Sequence, residues 1–183
     1  MVSVVVVGVL AVAATPRFLS LYRDRRVLAA AAAAADLVRF ARSQAIGRGG
    51  ATMVRYSAAG GANGRPLIEV REAIQASGAP LPLASCLLPN WANASTTSRE
   101  LTRQDYGNGM WSLASFEFTS DAGTTQTFAE LCFTPRGRTF VRYQAGGAWV
   151  ALQGVPRIRV TNSDTLYDRF VFLPPNGVAR VQM

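Results

Sequence analysis

A chain that opens Met-Val-Ser-Val-Val-Val-Val-Gly-Val-Leu-Ala-Val-Ala-Ala has to keep that stretch away from water. Ser3 is its only polar side chain, and no positive residue precedes the run. A signal peptide carries a positive n-region before its apolar core and a small-residue cleavage site after it. A membrane-spanning helix takes about 20 apolar residues, and a short Val-rich run also suits a buried strand. The adjoining segment narrows the choice. Arg17 to Arg48 is dominated by Ala, Leu and Arg, with unbroken Ala from 29 to 35, and these are strong helix formers. Leu37, Phe40, Ala41 and Gln44/Ala45 recur at the spacing of one helix face. Gly47, Gly49 and Gly50 end the pattern. The opening third therefore reads as one helix of about 48 residues, roughly 70 Å long, apolar at one end and amphipathic at the other.

A length of 183 residues suits one domain, or one domain with an appendage. Hydrophobic residues at 49% and charged residues at 16% exclude a disordered tail and a charged coiled coil. All 19 basic residues are Arg, and there is no His. That removes the usual general base, the Ser-His and Cys-His nucleophile pairs and the commonest zinc ligand. Glu69 with Glu72, and Asp164 with Asp168, are carboxylate pairs of the kind that can do acid–base work. No nucleophile motif or phosphate-cradling Gly loop accompanies them, so they read as surface carboxylates. The expectation is a protein that is not an enzyme and has no cofactor, no metal and no small-molecule substrate. The net charge of +8 is concentrated in residues 17–48 and in the C-terminal third.

After Gly50 the period changes to two. Strands are expected at Thr52–Ser57, Leu67–Arg71, Leu113–Thr119, Thr127–Phe133, Thr139–Gln144, Trp149–Leu152, Arg157–Thr161, Arg169–Leu173 and Val178–Gln182. Leu131 to Gly137 and Phe170 to Gly177 both read strand, Pro, Gly, and are expected to be two hairpins of one sheet system. Ala73 to Gly109 is irregular, a long stretch of the kind that carries function or local structure.

The order Met1, Val-rich run, Gly8, Leu10-Ala11, Pro16, then an Arg- and Ala-rich helix resembles the N-terminus of type IV pilins and type II secretion pseudopilins. Met1, Gly8 and Pro16 match the family's Met, Gly and helix-kinking Pro with one constant shift, which places about six residues of the family pattern, including its Glu, upstream of Met1. Asp36 to Ile46 is similar to the helix end of the GspH/FimT group of minor pseudopilins, and Phe133-Thr134-Pro135-Arg136-Gly137-Arg138 to that group's F-x-P-x-G strand and turn. The resemblance implies an α+β, pilin-like fold. A hydrophobic stem helix (1–48), with 1–16 in the membrane or filament core through Met1, Val5, Gly8, Leu10 and Pro16, would pack on an antiparallel β-sheet or sandwich domain (49–183). It implies a single pass of the inner membrane with a periplasmic domain, and an extracellular filament after assembly. The function it implies is a minor pilin or pseudopilin near the filament tip. Its partners would be other pilins, inner-membrane lipid before assembly, and secreted substrate or DNA.

Two further expectations depend on that setting. Outside the cytoplasm, Cys86 and Cys132 would form a disulfide pinning the long irregular segment to a strand; two separate buried thiols are the alternative. Arg136, Arg138, Arg157, Arg159 and Arg180 would give a basic surface able to hold DNA phosphates, the alternative function being DNA capture in transformation. Gly177-Val178-Ala179-Arg180 corresponds to the Gly-Arg-x-Arg tail of relatives in DNA uptake and keeps only its second Arg. Phe140, Tyr143, Phe170 and Phe172 read as sheet core. Arg23, Arg25 and Arg26 would meet acidic headgroups, or Asp24 and Asp36 of neighbouring stems.

Overall fold

A computed structural model describes residues 2–75, 82–87, 91, 97–106, 114–162, 168–176 and 178–182, with the backbone alone at 2–20. One helix, α1 (Val2–Arg48), opens the chain. Eleven strands come after it among the described residues: β1 (Thr52–Ser57), β2 (Leu67–Ala73), β3 (Ser98–Asp105), β4 (Ser115–Thr119), β5 (Thr125–Gln126), β6 (Phe128–Phe133), β7 (Thr139–Arg142), β8 (Val150–Ala151), β9 (Arg157–Thr161), β10 (Arg169–Phe172) and β11 (Arg180–Gln182). They form a six-stranded sheet, β3-β2-β1-β6-β7-β8, and a five-stranded sheet, β11-β10-β9-β4-β5. Every strand pair is antiparallel.

This architecture corrects the expected α+β fold built on a hydrophobic membrane stem. Beyond α1 the described residues are mostly β, in two sheets, and among the described residues no helix is long and apolar enough to cross a membrane. The residues explain why. Leu21 to Arg48 carries Arg23, Arg25, Arg26, Arg39, Arg42 and Arg48 with Asp24 and Asp36. The apolar run before it covers about 21 Å at 1.5 Å per residue, against a hydrocarbon core of about 30 Å.

The described part of α1 lies across both sheets. Its buried face is Val27, Ala30, Ala31, Ala34, Ala35, Val38, Ala41 and Ala45. The face expected around Leu37 and Phe40 is therefore rotated: Phe40 stays exposed and Leu37 is only partly buried. Small side chains win because they let the helix backbone approach the sheets closely. Ala34→Leu is expected to destabilise the fold by about 1–3 kcal/mol through overpacking, read as a lower urea midpoint at unchanged slope.

Facing α1 are Val54, Tyr56, Ile68, Val70 and Leu131 from the six-stranded sheet, and Phe116, Phe118, Ile158, Val160 and Val171 from the five-stranded one. Tyr56 and Phe118 meet across the sheets with ring centroids 5.5 Å apart. The Tyr56 hydroxyl donates to the Phe116 carbonyl at 2.9 Å, and burial pushes its pKa up to about 12. Asp24 accepts from Arg169 of β10 at 2.8 Å, and Asp36 pairs with Arg39 at 2.8 Å. Both aspartates expected to serve neighbouring stems are thus engaged within the chain.

The far face of the six-stranded sheet carries a second, smaller core: Ala51, Met53, Ala73 and Cys132, covered by Cys86 and Trp91. Cys86 and Cys132 are bridged, with Cα atoms 6.0 Å apart. Gly50 makes the close approach possible, since a Cβ there would sit 2.7 Å from Cβ of Pro82. The irregular stretch expected from Ala73 to Gly109 contains β3, the longest strand among the described residues. The two Pro-Gly hairpins belong to different sheets, β6–β7 to one and β10–β11 to the other.

Candidate functional site

Three groups of residues bear on function. The first is a row of charges crossing the six-stranded sheet on the face away from α1. The register places Arg103 (β3) opposite Glu69 (β2), Glu69 opposite Arg55 (β1), Arg55 opposite Glu130 (β6) and Glu130 opposite Arg142 (β7). Directly opposed residues share a face, so sign alternates across five strands. Arg55 joins Glu69 at 2.7 Å and Glu130 at 2.6 Å. Arg142 closes on the other oxygen of Glu130, and Arg71 reaches Glu69 at 3.2 Å. Glu130 is fully buried.

The lid over this row is the disulfide-held segment. Arg55 donates to the Trp91 carbonyl at 3.0 Å, and Trp91 Nε1 donates to the Cys86 carbonyl at 3.0 Å. The Arg142 guanidinium lies over Trp149, 4.5 Å from the ring centre. Glu69 and Glu72, expected at the surface, are both buried; Glu72 is held by Arg99 and by Arg48. Period-two patterning could have placed Arg55 and Glu130 on one face each, but only the register shows that they meet. The arrangement is an ionic clamp between strands under a covering loop.

The second group is the outer face of the five-stranded sheet. Phe172 sits opposite Arg157 and Arg180, and Phe170 opposite Arg159 and Gln182. Phe170 and Phe172 are half-buried outward residues, with ring centroids 6.2 Å apart, which corrects their expected place in the core. The expectation for Phe140 and Tyr143 is nearer the structure, since both are partly buried and pack against core clusters. Arg157 lies over the Phe170 ring at 5.4 Å. Arg159 is neutralised by Asp168 at 2.7 Å and Glu117 at 3.6 Å. The Asp168 hydrogen bond, then its charge, raise the Arg159 pKa further above its ordinary value. Asp164 lies outside the described residues.

Arg136 and Arg138 form the third group, at the β6–β7 turn of the other sheet, beside the Leu83–Leu87 segment. The expected basic surface is thus split: Arg157, Arg159 and Arg180 share one sheet face, Arg136 and Arg138 line a separate cleft, and Arg159 is already paired.

Of the residues expected in a membrane or filament core, Val5, Gly8, Leu10 and Pro16 lie in α1, which continues through Pro16; Met1 lies outside the described residues. Among the described residues no cluster of His, Cys, Asp or Glu could hold a metal. Comparison with protein-family models, curated proteins and solved structures gives no match to this chain.

Proposed function

We propose that the protein is a structural subunit of an extracytoplasmic filament, of the type IV pilin or pseudopilin kind, joined to other subunits through the N-terminal half of α1. One observation carries the reading: α1 is a single helix from Val2 to Arg48, and in its described part the first buried side chain is Val27, with Asp24 meeting Arg169 of β10 one turn earlier. Leu21 and Tyr22, before that point, are exposed. The helix therefore begins with a sequence, Val2 to Ala14, that is apolar on every side except at Ser3. A helix hydrophobic all round has to be buried. Like helices from neighbouring subunits can bury it, because small residues such as its Val, Ala and Gly allow close helix–helix packing. The Cys86–Cys132 bridge supports a place outside the reducing cytoplasm.

Sedimentation of the full chain without detergent tests this. The wild type is expected to form oligomers or filaments, and the Val5→Asp/Val9→Asp variant to run as a monomer with unchanged β-sheet circular dichroism. A monomeric wild type, or a variant that assembles equally well, would overturn the reading.

A further inference from the structure

The β6–β7 turn and the segment that the disulfide holds beside it enclose a cleft of about 440 Å³. Its walls are mainly apolar, from Leu83, Leu87, Pro135 and Phe140 with the Cys86 end of the bridge between them, and Ser85 and Thr134 add two hydroxyls. Leu87 is 65% exposed, a large apolar side chain left facing water on a segment tied down by a covalent bond. Arg136 and Arg138 stand at the rim, both exposed. The turn fixes their positions, since Thr134 N–H donates to the Arg138 carbonyl and Gly137 N–H to the Thr134 carbonyl, each at 2.9 Å, with Gly137 at φ 79°.

Neither guanidinium meets a carboxylate among the described residues. The covering segment cannot supply one either, because Ala73 to Thr97 contains no Asp or Glu. This contrasts with Arg55, Arg71, Arg99, Arg142, Arg159 and Arg169, each of which has an acidic partner. A cleft of this size with apolar walls and a few convergent polar groups is the form small-ligand sites take. The planar guanidinium fork matches a carboxylate.

We propose that this cleft binds a small apolar carboxylate, its hydrocarbon body lying against Leu83, Leu87 and Phe140 and its carboxylate held between Arg136 and Arg138. The proposal does not rest on the filament reading. Decanoate and 1-decanol, titrated calorimetrically into the full chain, serve as charged and neutral probes. Decanoate is expected to bind saturably at one site per chain and more tightly than decanol. Arg136→Ala/Arg138→Ala is expected to weaken decanoate by about tenfold or more, the loss of a charge-assisted hydrogen bond, and to leave decanol unchanged. Leu87→Gln is expected to weaken both probes. All three positions are exposed, so the variants keep the fold. The proposal falls if decanoate shows no saturable heat at millimolar concentration, if decanol binds as tightly, or if the double Arg variant binds decanoate as the wild type does.

Discussion

Glu130→Ala is expected to remove about 3–5 kcal/mol of folding stability, the range for deleting one partner of a buried ion pair. Glu130 is 0% exposed and stands between two arginines, Arg55 on β1 and Arg142 on β7. Removing it leaves both guanidiniums facing a cavity under Trp91 and Trp149, with no carboxylate between them. Arg55 keeps Glu69 and the Trp91 carbonyl; Arg142 keeps the Gly147 carbonyl at 3.4 Å and the Trp149 face. Arg142 therefore loses most, since its remaining contacts carry no opposite charge. Glu130→Gln should cost less, because the amide oxygen can still accept one hydrogen bond. The measurement is a guanidine-free urea titration, chosen so that the denaturant adds no salt, repeated at high ionic strength. A surface pair would be screened and contribute about 1 kcal/mol or less. A loss that small for Glu130→Ala, or one abolished by salt, would show that the clamp contributes little to stability.

Each part of this fold is legible in the residues to the extent that short-range pattern, and not long-range pairing, determines it. Strands β1 and β9 are legible to the residue, because short-range alternation and flanking turn residues fix them. Strand β3, Ser-Arg-Glu-Leu-Thr-Arg-Gln-Asp, is not, because as an edge strand its side chains are largely polar on both faces and its identity comes from pairing with β2. The helix is legible over its whole span, Val2 to Arg48, but not which way it faces. Leu37 and Phe40 look like the core stripe by size, whereas the sheets accept the flatter Ala stripe. Arg157 and Arg159 can be put on one face by period two alone. That Phe170 and Phe172 join them, and that Asp168 and Glu117 neutralise Arg159, is a matter of register between strands. Glu69 misreads for the same reason: it looks like a solvent-facing position of a half-buried strand, whereas it is buried, and the loop that covers its face comes from a distant stretch of chain.

That covering loop carries the second large effect. Replacing both cysteines, Cys86→Ser/Cys132→Ser, is expected to cost about 4 kcal/mol in the chain-entropy model for a bridge spanning a sequence separation of 46. In that model the cost lies mainly in the unfolded chain, which gains freedom. The folded lid retains its hydrogen bonds from Trp91 to the Cys86 carbonyl and from Arg55 to the Trp91 carbonyl. The urea midpoint should therefore fall while the native tryptophan emission stays blue-shifted, as suits a Trp91 that is 1% exposed. A loss below about 1 kcal/mol would mean that the reduced chain is already compact around this segment. A red-shifted native spectrum would mean that the lid opens once the bridge is gone, and the ion clamp beneath it would then be solvated. The double-mutant cycle separates the two cases. If the lid stays shut, the Glu130→Ala and cysteine losses add to within about 0.5 kcal/mol; if it opens, Glu130→Ala becomes cheaper in the unbridged chain by about 0.5–3 kcal/mol, the usual size of coupling between neighbouring sites.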